Sequence, residues 1–123
     1  MRIDTIVSER ALQEIYLRPF EIAVKEARPW AILTAYNKLN GDHCDSNKFL
    51  LDQTLRDDWG WDGLVISDWG GTTSSAEALN AGLDIEMTGP PVHRNPAGVI
   101  ELVKSGQVME IIDGRVLAEG WRV

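Results

Sequence analysis

At 123 residues, 44% apolar and 25% charged, the chain has the composition of one ordinary globular domain, which excludes a disordered or fibrous protein. Nineteen acidic against 12 basic residues leave a net charge of −7, the wrong sign for a phosphate backbone, so nucleic acid is not an expected partner. No apolar run approaches the roughly 20 residues needed to cross a bilayer, so no membrane partner is expected either.

The first ten residues, MRIDTIVSER, lack the apolar stretch of a signal peptide. Cys44 is the single cysteine, which rules out an internal disulfide framework, and no Asn is followed by the pattern that accepts a glycan. On this reading the chain stays in the compartment where it is made, and that compartment is not specified.

In chain order, residues 8–28 have helical spacing, with Leu12, Ile15 and Tyr16 on one apolar face and Phe20, Ala23, Val24 and Ala27 on another. Pro19 between them predicts a kink or a restart, and Pro29 blocks continuation. Trp30 to Tyr36 reads as a strand, and NKLNGDHCDSN as a polar loop. Asp45 or Ser46 would cap a second helix that turns Leu50, Leu51, Thr54 and Leu55 inward and stops at Gly60. GLVISD is the second strand, residues 73–81 a short helix ending at Gly82, and Leu83 to Met87 a third strand-like run. A loop, TGPPVHRNP, precedes helical patterns at 96–105 and 109–119.

Strands that alternate with helices imply parallel βαβ units, and AILTAY and LVIS are apolar on both faces, as suits strands buried on both sides. Two architectures fit: a small open α/β sandwich, or a slice of a (β/α)8 barrel, whose whole form needs ~250 residues. The motifs favour the slice.

In parallel α/β folds the carboxyl ends of the strands line the site. Three such ends can be read: Tyr36-Asn37, Ser67-Asp68-Trp69 and Glu86-Met87. A phenol, a carboxylate beside an indole and a second carboxylate suit carbohydrate, because aromatic faces stack on sugar C–H surfaces and acids accept from hydroxyls. An ionised carboxylate can also attack an anomeric carbon. The structural alternative is that Asp68 caps the following helix or holds its loop through backbone N–H groups.

Other chemistry finds less support. Gly70-Gly71 matches neither nucleotide-binding glycine motif. A calcium loop counted from Asp58 puts Gly60 and Trp69 where ligands are needed. His43 and His93 lack ligand spacing and read as surface loop residues, and Cys44 has no triad and reads as a spectator thiol. No metal or cofactor is therefore expected. Trp59 and Trp61 read as packing residues at the end opposite the site, Arg56-Asp57-Asp58 as a solvated helix end or local ion pairs, and Asp84 as a buried structural acid.

YLRPFEIAVKEARPWAILTAYNKLNG, SNKFLLDQTLRDDWGWDGLVISDWGGT and EALNAGLDIEMTGPP, in that order, closely resemble the N-terminal barrel domain of glycoside hydrolase family 3, the β-glucosidase family. The resemblance runs from about Ser8 to Val116 and rests on S-D-W at a strand end, preceded by R-D-x-W-G-[FW]-D-G and followed by A-G-L-D-x-E-M. It implies that Asp68 is the catalytic nucleophile, that Trp69 borders the sugar site, and that Tyr36 sits near both the nucleophile and the glucosyl unit. The implied reaction is retaining hydrolysis of terminal non-reducing β-D-glucosyl residues with release of β-D-glucose, as in cellulose and other polysaccharide degradation. The substrate would be a β-glucoside or oligosaccharide, and full-length members are often secreted.

The family's other glucose-holding groups come from earlier strands and its acid/base from a later domain, and neither is expected in this chain. Residues 1–123 thus read as the C-terminal portion of an incomplete barrel domain, a partial (β/α)8 TIM barrel. Glu86 is the one in-chain carboxylate that could substitute as acid, and it reads instead as structural. The alternative to a glucosidase fragment is an inactive truncated module that binds sugar weakly or self-associates through open sheet edges. A receiver-like acidic pocket ranks last, for want of paired upstream acids and a downstream lysine.

Overall fold

The computed structural model describes residues 3–108. At its centre, β2 (Ala31–Leu33) and β5 (Leu64–Ile66) pair in parallel, Ala31 opposite Leu64 and Leu33 opposite Ile66. Beyond β5, Ile66 and Ile85 form a single parallel bridge. Each extended segment neighbours the next along the chain, with helix between, and the chain is α/β with parallel strands as its pattern predicts. Both strands are shorter than expected, although the Leu64 N–H bond to the Trp30 carbonyl (2.9 Å) and the Thr34 N–H bond to Ile66 (2.9 Å) extend the ladder at each end.

The third strand-like run contracts to that bridge for a physical reason. The Asp84 carboxylate accepts the Val65 N–H (2.7 Å), while the Asp84 and Ile85 N–H groups both donate to the Val65 carbonyl (2.9 and 3.1 Å). A side chain thus takes a place that a backbone carbonyl fills in a regular ladder.

Helices cover one face of these strands. Val24, Leu51, Leu55, Trp61, Val65, Ala78, Ala81 and Leu83 form the main core. Full burial of a side chain such as Val65 or Leu83 contributes about 1.5–3 kcal/mol. The opposite face, expected to be buried, is open: Leu33 is 57%, Leu64 39% and Ile85 39% exposed.

The helical stretch 8–28 is two segments, as Pro19 predicts. Ser8 caps the first, which runs Glu9–Ala11 and Leu12–Tyr16, and Pro19 sits in the opening turn of the second, Arg18–Ile22 and Ala23–Ala27. Arg28 then turns left-handed (φ 46°) ahead of Pro29.

The polar loop after Tyr36 is a β-hairpin. β3 (Lys38–Leu39) pairs antiparallel with β4 (Asp42–His43) through Asn40 and Gly41, both at positive φ (52° and 100°). Asn-Gly is the pair such a two-residue turn demands, so NKLNGDHCDSN is a hairpin and not the plain loop its polar composition predicts. β1 (Asp4–Thr5) adds in parallel to β3, and the Asn40 amide bonds both the N–H and the carbonyl of Val7. Leu12, Leu39 and Cys44 pack beneath as a second, smaller core.

Lys48 stands at the N-cap of the helix Phe49–Asp58 and gives it no side-chain bond; one residue earlier Asn47, and not Asp45 or Ser46, accepts the Leu50 N–H on its Oδ1 (3.1 Å). Three cap-type residues stand in a row, and only the spacing to the first turn selects among them. The helix expected over 73–81 spans Ala76–Ala81 and ends at left-handed Gly82, and Asn95 caps Pro96–Lys104. The helical pattern at 109–119 lies outside the described residues.

Arg56 is not on a solvated helix end. Its guanidinium bonds Asp84 (2.9 Å) and the carbonyls of Trp61 (3.3 Å) and Gly63 (2.5 Å), and lies 4.9 Å from the Trp61 ring centre. Trp61 in turn donates its indole N–H to Pro29 (2.7 Å). Here Trp61 is a packing residue and Asp84 a structural acid, as expected.

Candidate active site

Ser67 follows β5 and is fully buried. Its N–H donates to Ile85 (2.9 Å), and its hydroxyl accepts the Met87 N–H (2.9 Å) while donating to the Met87 carbonyl (3.4 Å). The two neighbouring strand ends are thereby fixed side by side, and Asp68, half-buried, emerges at their carboxyl rim.

Directly after it the chain folds into a tight turn, closed by the Gly71 N–H to the Asp68 carbonyl (2.8 Å). The third position of that turn, Gly70, has φ 69°, which favours glycine. A Cβ at Gly71 would stand 3.0 Å from the Asp68 carbonyl oxygen, so the second glycine permits the close approach. Trp69, at the second position, is pushed outward and is 69% exposed.

Tyr36 reaches this turn from beyond β2. Its hydroxyl donates to the Trp69 carbonyl (2.7 Å) and lies beside the Asp68 carboxylate. Desolvation and the neighbouring Asp68 carboxylate push the phenol above its ordinary value, so it stays protonated and acts as a donor to the Trp69 carbonyl. The Asp68, Tyr36 and Trp69 singled out in the sequence therefore meet in one place.

The structural alternatives for Asp68 divide. One carboxylate oxygen, Oδ1, does hold the loop by accepting the Trp69 N–H (2.7 Å). Helix capping is excluded, because the next helix starts at Ala76 and its N-cap is Ser75.

Glu86 is engaged elsewhere: it accepts the N–H groups of Val92 (3.1 Å), His93 (3.2 Å) and Arg94 (2.7 Å) and so ties down the following loop. Burial opposes its charge, but those three donors outweigh it and hold the carboxyl below its ordinary value. A general acid needs the reverse shift. Arg94 of the same loop bonds the Leu83 carbonyl, a structural tie that the sequence did not reveal. Cys44 is buried, and burial with the nearby Asp45 pushes its thiol up, away from nucleophile chemistry. His43 and His93 are half-buried, and among the described residues no group of three or more His, Cys, Asp or Glu could hold a metal ion.

Sequence reasoning also missed Asp45 as a partner of this region. Fully buried, it accepts the Thr73 N–H (2.8 Å) and the Thr73 hydroxyl (2.9 Å). No local pattern announces a contact that spans 28 residues.

Residues 3–117 match the Glycosyl hydrolase family 3 N terminal domain. β-Glucosidase B of Emericella nidulans is 62% identical over 104 residues, 85% of this chain and 12% of that protein. The crystal structure of a β-glucosidase from Kluyveromyces marxianus in complex with glucose is 52% identical, with a TM-score of 0.86 over 92% of this chain and 14% of its own. β-Glucosidase 3B from Thermotoga neapolitana in complex with glucose is 47% identical, with a TM-score of 0.79 over 88% and 16%. The chain spans 12–15% of the length of the curated relatives it matches.

Proposed function

Glycosyl hydrolase family 3 is the family to which this chain belongs, and from that premise we propose that it carries the nucleophile-bearing part of a retaining β-glucosidase barrel. The observation that carries the reading is the meeting of Asp68 with a neutral Tyr36 phenol and an exposed Trp69 at the carboxyl end of a parallel strand.

In the proposed reaction the Asp68 carboxylate attacks the anomeric carbon of a terminal β-D-glucosyl unit. Oδ1 is engaged by the Trp69 N–H, so Oδ2 is the attacking oxygen. The C1–O bond to the leaving group breaks as the C1–Oδ2 bond forms, and an acid protonates the departing oxygen. Water, deprotonated by the same group, then displaces Asp68 and releases β-D-glucose with retained configuration. Tyr36 orients the nucleophile, and Trp69 offers its indole face to the sugar ring. The protonating acid is assigned to no residue of this chain. The segment then belongs to the C-terminal portion of a (β/α)8 barrel in a longer protein that acts on β-glucosides or oligosaccharides, cellulose fragments among them.

A 2-deoxy-2-fluoro-β-glucoside with a dinitrophenyl leaving group tests this, because its departure needs no acid and the fluorine slows release of the intermediate. The purified chain should gain one fluoroglucosyl unit, located by peptide mass spectrometry at Asp68 and absent from Asp68→Asn. Simple aryl β-glucosides should turn over slowly or not at all. Labelling at any other residue, or none, overturns the assignment.

The open face of Leu33, Leu64 and Ile85 favours a second reading, in which the chain is a non-catalytic module that binds sugar weakly or completes its sheet with another copy. A well-folded monomer by light scattering counts against the self-associating form.

A further inference from the structure

The turn that carries Asp68 is tied down at three points. The Tyr36 hydroxyl holds the Trp69 carbonyl, the Gly70 N–H donates to Met87 (2.9 Å), and at the far end Thr73 meets Asp45. Two of these ties start from one stretch of chain, because Tyr36 precedes the β3–β4 hairpin and Asp45 follows it. The hairpin is itself rigid, closed by the Asn40-Gly41 turn and by the Cys44 N–H to the Asn37 carbonyl (3.2 Å).

Asp45 has no measurable exposure and forms no salt bridge among the described residues. A buried carboxyl group is costly unless its oxygens are bonded, and both are spent on Thr73: Oδ2 on the N–H (2.8 Å), Oδ1 on the hydroxyl (2.9 Å). The hydroxyls of Thr72 and Ser74, on either side, are buried with no partner among the described residues. Within Thr72–Ser74, Thr73 is therefore the residue whose side chain is held, and this end of the loop hangs on Asp45.

The geometry points to Asp45 as the positioning residue of the nucleophile turn: through Thr73 it fixes the loop Asp68–Thr73 against the hairpin segment that also presents Tyr36. This rests on the assignment of Asp68 as nucleophile. Asp45 touches neither substrate nor reacting atom. Its effect is to hold the Asp68 carboxylate in one orientation, so its loss should lower the rate of attack more than sugar affinity.

Amide hydrogen exchange on the full chain tests the clamp without any need for activity. In Asp45→Asn, which leaves one acceptor for two donors, and in Thr73→Val, which loses the hydroxyl, the Gly70 and Gly71 amides should exchange at least about tenfold faster. The amides of Val65 and Ile85 should not change, and Thr73→Ser and Thr72→Val should behave as the parent. With the activated fluoroglucoside, Asp45→Asn should lower the maximal labelling rate of Asp68 at unchanged half-saturating concentration. Unchanged loop exchange, or acceleration shared equally by Val65 and Ile85, overturns the proposal. A parent chain that shows the exchange pattern but takes no label at Asp68 overturns the nucleophile assignment while the clamp itself stands.

Discussion

Two aspartates flank β5, Asp84 from the neighbouring segment and Asp68 just beyond its carboxyl end, and they are used in opposite ways. At the amino end Asp84 is 9% exposed, paired with an equally buried Arg56 and bonded to the Val65 N–H through the same oxygen. At the carboxyl end Asp68 is half-buried, commits Oδ1 to its own turn, and stands between a phenol and an exposed indole. Residue type is constant across the two sites. Each commits one oxygen to a backbone N–H; what differs is that Asp84 is also buried against a guanidinium, where no substrate reaches it, whereas Asp68 is half-buried at the rim.

That contrast can be broken at either end. The largest effect is expected at the structural end. Arg56→Ala leaves Asp84 buried without its cation and should cost roughly 3–5 kcal/mol of stability in denaturant unfolding. A loss well under 1 kcal/mol would place Asp84 in water and erase the distinction. Next comes the side-chain bond at the start of the helix carrying Arg56: Asn47→Ala removes the acceptor of the Leu50 N–H and should cost about 1 kcal/mol, whereas Ser46→Ala should cost almost nothing. Equal losses would mean that the Asn47–Leu50 bond does not secure this helix start.

The smallest effect on stability belongs to the reactive end. Asp68→Asn should shift unfolding by no more than about 0.5 kcal/mol. It should also change the titration of Tyr36, followed by ultraviolet absorbance in a Tyr16→Phe background because the chain has two tyrosines. Burial and the Asp68 charge raise the phenol above 10.0 in the folded chain, and removing the charge should bring it back down. The sign follows from linkage: the folded state favours the neutral phenol, so this contribution is complete below pH 10.0 and fades as pH rises through the raised value. A Tyr36 titration indifferent to Asp68 would separate the two groups.

Much of this was legible in the sequence. The strand LVI followed by S-D-W-G-G placed an acid at a carboxyl rim, and the two glycines proved to be what the turn geometry requires. Pro19, Gly82 and Asn95-Pro96 marked helix boundaries that the structure keeps. The Asn40-Gly41 hairpin is equally legible in its turn residues, although the polar composition around them suggests only a loop. Glu86 read as structural and is so, while Asp45 and Arg56 were not legible in their roles. Asp45 with Thr73 and Arg56 with Asp84 are each 28 residues apart and meet only through folding.

By itself, the sequence determined the alternation of helix and strand, the family, and the acid that faces the rim, since all three follow from local periodicity, turn chemistry and short motifs. Only the tertiary structure decided which acids are already spent. Burial and hydrogen-bond partners distinguish Asp68 from Asp84, Asp45 and Glu86, and those are properties of long-range packing that no run of neighbouring residues encodes.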